Sequence, residues 1–359
     1  RFTVEWLAEC QRVLKPNGFL FLVVPSAGPI HRYPVDCYRF HPDAMAALAK
    51  LTGIQLVECW QDDRGPWNDL VGVFSRRPSP SRREPQRGPM VPQSLLAQAP
   101  SPDLAQEETR GVVSTLEVLA ELHDILQPDP YLEIGVRHGN SLRCAKHRAV
   151  AVDPWPAVDQ PFESDVRFCR ETSDWFFALH AAECMPEGPD LAFIDGLHHI
   201  EFALRDFMNV EKHSHGATVV VFDDVFPNHA AQATRERQTH VWAGDVWKIL
   251  PCLKRHRPDL VLIPIDARPT GLLLVAGLSR ENRVLRDRYN PLVRVLMETS
   301  ASPPANMLER RGAKPGLDQD IVDFLTQLRR AGNVTQPAAA VRRICDAWIS
   351  KHSAEGDAV

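Results

Sequence analysis

The stretch 190–227, DLAFIDGLHHIEFALRDFMNVEKHSHGATVVVFDDVFP, constrains the fold more than any other. It holds two short apolar runs, 191–194 and 218–222, rich in β-branched and aromatic residues, and each ends in acid. Runs of this kind read as strands buried on both faces, as in a parallel sheet. Between them, Phe202, Leu204, Phe207 and Val210 recur at helical spacing, which predicts a helix over 201–212. Strand, helix, strand brings two C-terminal strand ends side by side, where α/β sheets bind ligands. Asp195 follows the first strand; Asp223 and Asp224 follow the second. Any one of these acids could cap a helix or accept turn N–H groups. All three at one edge, with His198 and His199 nearby, favour a site for a hard divalent cation, Mg²⁺ or a relative.

The flanking strands extend the same sheet. Within PYLEIGVRHGNSL (130–142), a strand over 131–134 runs into Gly135 and Gly139. A glycine turn after a strand lets backbone approach a ligand closely, although G-x-x-x-G alone is a weak signal. AVAVD (149–153) is a second strand, and Asp153 at its end is placed to take ribose hydroxyls. The strict G-x-G-x-x-G fingerprint is missing, which argues against NAD. RFCRETSDWFFAL (167–179) reads as a third strand, a turn at Thr172–Ser173 and a helix start. Ser173 or Asp174 could cap that helix, and a turn residue here could also sit near an adenine. A helix over 114–126 precedes these strands, and 259–266 with 271–278 close the sheet as a hairpin. The polar stretch 228–244, carrying His229 and His240, reads as a mobile lid. Trp242 and Trp247 fit either pocket walls or core.

The remaining segments set the domain division. Residues 1–75 run helix, strand, loop, helix, strand, strand, with FLFLVV (19–24) as a buried strand. Residues 76–110 are rich in Pro, Ser, Arg and Gln and read as a linker. Residues 111–279 form the main domain, and 280–359 a helical C-terminal extension with no assignable chemistry. The first segment and 200–278 both run helix, strand, helix, strand, strand, as a duplicated fold would. Arg1 opens the chain inside a helical pattern, as a fragment would. A net charge of −5 gives no footprint for nucleic acid or an anionic membrane. No transmembrane span or signal peptide is present, and eight cysteines without a CxxC pair suit reduced thiols in the cytoplasm. Nothing here specifies an oligomeric state.

Several motifs in order carry a family resemblance: YLEIGVRHGNSL, AVDPWP, the pair LAFIDGLHH and VVVFDDVFP, and GDVWK. Residues 112–278 resemble a class I S-adenosylmethionine-dependent methyltransferase, and more closely the metal-dependent macrocin-type O-methyltransferases. The resemblance implies an α/β fold, a Rossmann-like sheet with helices on both faces. It implies that Glu133, Gly135, Gly139 and Asp153 hold S-adenosylmethionine; Ser173, in the turn before the helix, is a further cofactor-binding candidate. It implies that Asp195, Asp223 and Asp224 hold a divalent metal, Mg²⁺ foremost, and that the acceptor is a small-molecule or sugar hydroxyl; on chemical grounds Asp195 or His198 could take that hydroxyl's proton. Residues 1–75, through E-x-x-R-V-L-K-P-N-G, FLFLVVPS and HRYPVDCYRFHP, resemble the C-terminal half of another such domain without its cofactor loop. Two other readings stay open: a non-catalytic scaffold with a methyltransferase-like fold, and a hydrolase using the same three carboxylates.

Overall fold

The computed structural model describes residues 2–16, 18–26, 40–62, 69–76, 105–298, 302–332 and 337–352. Most of the aromatic loop 31–42, and the linker from 77 to 104, lie outside the described residues. The chain divides into two compact units, Arg1–Gly88 and Pro89–Val359. None of the described helices is long and apolar enough to cross a membrane.

The first unit contains helix α1 (Phe2–Val13), strand β1 (Phe19–Val24), helix α2 (Pro42–Thr52) and strands β2 (Gln55–Asp62) and β3 (Asp69–Ser75). Its sheet has the order β1-β3-β2, antiparallel throughout. Leu7, Met45, Leu48, Leu70 and Phe74 form its core, with Leu20, Leu22 and Val24 packed against them. The expectation that β1 is buried on both faces needs correcting. Its alternate residues Phe19, Phe21 and Val23 are 57%, 63% and 58% exposed. Side chains alternate across a strand, so a helical layer on one face covers only every second residue.

The second unit begins with a short strand β4 (Val113–Ser114) and helix α3 (Thr115–Leu126). A capping box opens α3: Ser114 accepts from the Glu117 N–H, and the Glu117 carboxylate accepts from the Ser114 N–H. Strands β5 (Tyr131–Ile134), β6 (Ala149–Val152) and β7 (Val166–Cys169) follow, then helices α4 (Ser173–Leu179) and α5 (Ala181–Cys184). Next come β8 (Leu191–Ile194), α6 (Ile200–His213), β9 (Val219–Phe222), α7 (Ile249–His256), β10 (Val261–Ile265), β11 (Ala267–Arg268) and β12 (Leu272–Ala276). Helices α8 (Val284–Asp287), α9 (Tyr289–Glu298), α10 (Ala305–Leu308), α11 (Gln319–Gly332) and α12 (Pro337–His352) complete the unit.

Seven strands form one sheet in the order β10-β12-β9-β8-β5-β6-β7. Strands β7, β6, β5, β8 and β9 run parallel, while β12 is antiparallel to both β9 and β10. This is a Rossmann-like α/β sheet with helices on both faces. One face packs Ile134, Val220 and Phe222 against Phe176, Phe207 and Leu250 of α4, α6 and α7. The other packs Phe193, Val221 and Leu274 against Leu122 of α3 and Phe324, Leu328 and Val341 of α11 and α12. The C-terminal helices are therefore part of the core. They cover a face that the segment between β5 and β6 cannot, because it forms only a 3-10 turn at Leu142–Cys144. Each fully buried Leu or Phe there contributes about 1.5–3 kcal/mol.

The duplicated pattern recurs in three dimensions. The order β2-β3-β1 in the first unit matches β10-β12-β9 in the second, antiparallel in both.

Candidate active site

The site lies at the C-terminal ends of β5, β6, β8 and β9. Gly135 leaves β5 with φ +89°, and a Cβ there would lie 1.9 Å from the Asp195 carbonyl oxygen. Only glycine lets the loops after β5 and β8 approach this closely. Gly139 has φ +73°, and a Cβ would press against the Phe162 ring at 2.8 Å. The loop between them is held from two sides. Asp153 Oδ2 accepts the N–H groups of Val136 (2.9 Å) and Arg137 (2.8 Å), and its Oδ1 accepts from Trp155 (2.7 Å).

Glu133 grips the same loop from beneath. Its side chain is fully buried, accepting from Tyr131 Oη and Ser141 Oγ at 2.7 Å each. Burial pushes its carboxyl up to about 8, against those two hydrogen bonds. Tyr131 and Glu133 are two apart on a strand and so share a face, a signal the sequence carried. The structure thus turns Glu133 inward and makes it a support for the 135–141 loop rather than a surface group. Ser173 also differs from its expected capping role. Thr172 is the N-cap of α4, and the Ser173 hydroxyl bonds the buried Asp206, whose carboxyl burial pushes up to about 7.

The acids after β8 and β9 surround His198. Its Nε2 is 3.4 Å from Asp195 Oδ1, and its Nδ1 is 2.9 Å from Asp224 Oδ2 and 2.7 Å from the Trp242 carbonyl oxygen. The Trp242 indole stacks on the imidazole at 5.0 Å. Burial opposes a charge on His198, but Asp224 and Asp195 overcome it and hold the ring protonated well above its usual range. Burial also raises Asp195. Asp223 is raised well above the carboxylate range, first by burial and then by Asp224 and Asp195.

Asp195, His198 and Asp224 offer ligand atoms within 4.8 Å of one another. The expected trio of aspartates is altered here: His198 stands in the compact cluster and Asp223 does not. Asp223 Oδ1 instead accepts the Asp224 N–H at 2.8 Å and faces the Thr270 hydroxyl at 3.4 Å. Asp224 sits at φ +64°, a conformation that aspartate tolerates better than most residues. Two carboxylates and an imidazole are an oxygen-rich set with one nitrogen, which fits a divalent cation.

The stretch 228–244 is bound down more than a free lid would be. Arg235 bonds both Glu201 oxygens (2.9 and 2.5 Å) and Asp245 (2.9 Å). Buried Asp245 accepts the Ile200 N–H at 2.8 Å, opening α6 where the N-cap residue His199 supplies no side-chain bond. The Trp242 indole donates to the Thr234 carbonyl at 2.6 Å. His229 caps its own turn at Ala231, and His240 is exposed. Trp247 is core. Sequence reasoning passed over Arg235 and Asp245 because their partners lie 34 and 45 positions away.

Residues 132–225 match a family described as a methyltransferase domain. No curated protein matches the chain in sequence. Solved structures are similar at low identity. An O-methyltransferase from Bacillus cereus in complex with SAH is 15% identical, with 52% of this chain and 87% of that one covered and a TM-score of 0.34. TomG, an O-methyltransferase from Streptomyces achromogenes, is 21% identical over 45% and 79%, with a TM-score of 0.31. The MycE methyltransferase of mycinamycin biosynthesis, in complex with Mg and SAH, is 16% identical over 43% and 46%, with a TM-score of 0.31. The stretch that matches the methyltransferase-domain family, residues 132–225, runs from β5 to just past the end of β9 in the Rossmann-like sheet.

Proposed function

We propose that the second unit transfers a methyl group from S-adenosylmethionine to a hydroxyl of a small molecule or sugar, with help from a divalent cation. The observation that carries this reading is His198, held between Asp195 and Asp224 beside the loop 135–141. Loop 135–141 and Asp153 hold the cofactor, with Glu133 and Ser141 keeping the loop in shape and Ser173 bordering the adenine. Asp195, Asp224 and His198 or Asp223 would hold the cation, Mg²⁺ foremost. When bound, such a cation supplies positive charge that acidifies a hydroxyl.

The rest is done by the chain's own groups. His198 is held protonated, with Nδ1 on Asp224 and the Trp242 carbonyl and Nε2 facing Asp195 Oδ1, so the second oxygen of Asp195, a carboxyl that burial raises, is the atom left to accept the hydroxyl proton. The oxygen forms a bond to the methyl carbon, the carbon–sulfur bond breaks, and its electron pair stays on sulfur as S-adenosylhomocysteine. The cofactor loop sets the in-line approach. MycE, whose solved complex contains Mg and SAH, offers a parallel for the cation.

Calorimetric titration of the full chain with S-adenosylmethionine, with and without Mg²⁺, tests the reading, followed by turnover on a panel of hydroxylated acceptors. Wild type binds and turns over. Asp195→Asn binds S-adenosylmethionine with unchanged affinity and loses about 10²–10⁴-fold in rate, the usual worth of a general base. Cofactor binding without turnover on any acceptor favours the scaffold reading, and no binding at all rejects the assignment.

A further inference from the structure

We propose that a cavity behind α6 is a second ligand site, taking an aromatic phosphate monoester. This goes beyond the methyl-transfer reading and does not depend on it. The cavity is about 410 Å³ and lies between α4, α6 and the α8–α9 segment. That volume is within the range of small-molecule sites. Lys212 on its rim is twelve residues along α6 from Ile200, hence about 18 Å from the helix end at the candidate active site.

Its chemistry is uneven in an informative way. Arg205 Nε lies 2.6 Å from Asp174 Oδ1, so those two charges cancel. Lys212 and Arg286 have no carboxylate partner among the described residues. The Arg286 bonds go to neutral carbonyls, from Nη2 to Arg280 at 3.0 Å and Asn282 at 2.8 Å. Two cations on one cavity therefore remain uncompensated. A phosphate monoester supplies two negative charges and several acceptor oxygens, whereas a monocarboxylate satisfies only one cation. The Asn209 amide offers a further donor in the same wall. The floor is apolar: Phe177 and Met208 are each 7% exposed, so a flat hydrocarbon body fits beneath the anion.

The test is calorimetric titration of the full chain with phenyl phosphate, with phenol and inorganic phosphate as comparators. Phenyl phosphate binds more tightly than either comparator. In the double variant Lys212→Gln with Arg286→Gln its affinity falls at least about tenfold, for two lost charge-assisted contacts. Lys212 is exposed and Arg286 half-buried, and an unchanged melting temperature confirms that the variant is folded. Asp195→Asn leaves phenyl phosphate binding as it was, which separates this cavity from the cluster around His198. The proposal is overturned if phenyl phosphate fails to bind at millimolar concentration. It is also overturned if the double variant binds equally well, if phenol or inorganic phosphate matches phenyl phosphate, or if Asp195→Asn abolishes binding.

Discussion

Replacing Asp245 by Asn tests what holds the His198 loop. Asp245 and Lys248 have side chains 1% and 2% exposed, with Lys248 Nζ 3.2 Å from Asp245 Oδ2. Asn keeps an oxygen for the Ile200 N–H, so the helix cap survives. What disappears is the negative charge between Lys248 and Arg235. Arg235 is partly exposed and retains Glu201, so its share is small. Lys248 keeps its other contacts, the Leu296 carbonyl at 2.8 Å among them, but loses the buried Asp245 carboxylate. Breaking a buried pair by removing one partner costs about 3–5 kcal/mol, and the low end applies because a carbonyl remains. For a unit of this size about 3 kcal/mol lowers the melting temperature by roughly 6–12 °C. Thermal unfolding followed by near-ultraviolet circular dichroism reads this directly. Lys248→Met added to Asp245→Asn removes the buried cation that has lost the Asp245 carboxylate, so the double variant is more stable than Asp245→Asn alone. A loss below about 1 kcal/mol for Asp245→Asn, or no recovery in the double variant, would refute the argument.

Three further outcomes rest on single residues. Gly135→Ala places a methyl on the Asp195 carbonyl at positive φ, so calorimetry shows S-adenosylmethionine binding lost and the melting temperature reduced; unchanged affinity rejects the close approach as a requirement. His123 has both ring nitrogens buried without a partner, and burial pushes it down to about 4. The unfolded chain therefore binds more protons between about 6.5 and 4, and stability falls as pH drops through that window; His123→Phe flattens this limb in urea titrations at several pH values. Glu133 runs the other way. Its folded-state value of about 8 means that the native chain binds more protons, so its contribution is full at low pH and is lost as pH rises toward 8; in Glu133→Gln that alkaline loss shrinks, and an identical slope contradicts the assigned burial.

The strands and their order were legible because each is a short apolar run ended by acid, glycine or proline. That pattern predicted β5, β6, β8, β9 and the β10–β12 hairpin in place. Asp195, Asp223 and Asp224 were found as strand-end acids, but which of them meet was not. The turn at Asp224 aims one carboxylate at His198, while the Asp224 N–H holds the other acid in place. Such a choice lies in backbone dihedrals, and sequence spacing does not encode it. The loop 228–244 read as polar and therefore open. Its polarity is instead consumed internally, by Arg235 on Glu201 and Asp245 and by Gln232 on the carbonyls of Gln106 and Glu108. Pairings across more than 100 positions leave no local trace. The tail from 280 onward looked like an appendage because its apolar stripes have no neighbour in sequence. Phe324, Leu328 and Val341 find theirs on the uncovered sheet face.

The duplicated strand trio differs between the two units at the strand end where the proposed site sits. In the second unit β9 ends at Phe222, and the next two residues are Asp223 and Asp224. In the first, β1 holds the matching place and ends at Val24, followed by Pro25 and Ser26. The Pro25 carbonyl accepts the Phe40 N–H at 3.1 Å, and the Ser26 hydroxyl accepts from the Gln61 amide at 2.9 Å. Both groups are thus spent on closing the unit's own loops, and neither residue is itself a carboxylate that could share a cation or a proton. Introducing acids there does not transplant the site. Asp195 and His198 reach Asp224 only because β8 pairs in parallel with β9, Ile194 beside Phe222. Among the described residues β1 has β3 as its sole strand neighbour. Pro25→Asp with Ser26→Asp therefore gains no metal affinity by calorimetry, and Asp195→Asn alone lowers that of the chain. A gain in the first unit would show that the strand-end acids suffice without their parallel neighbour.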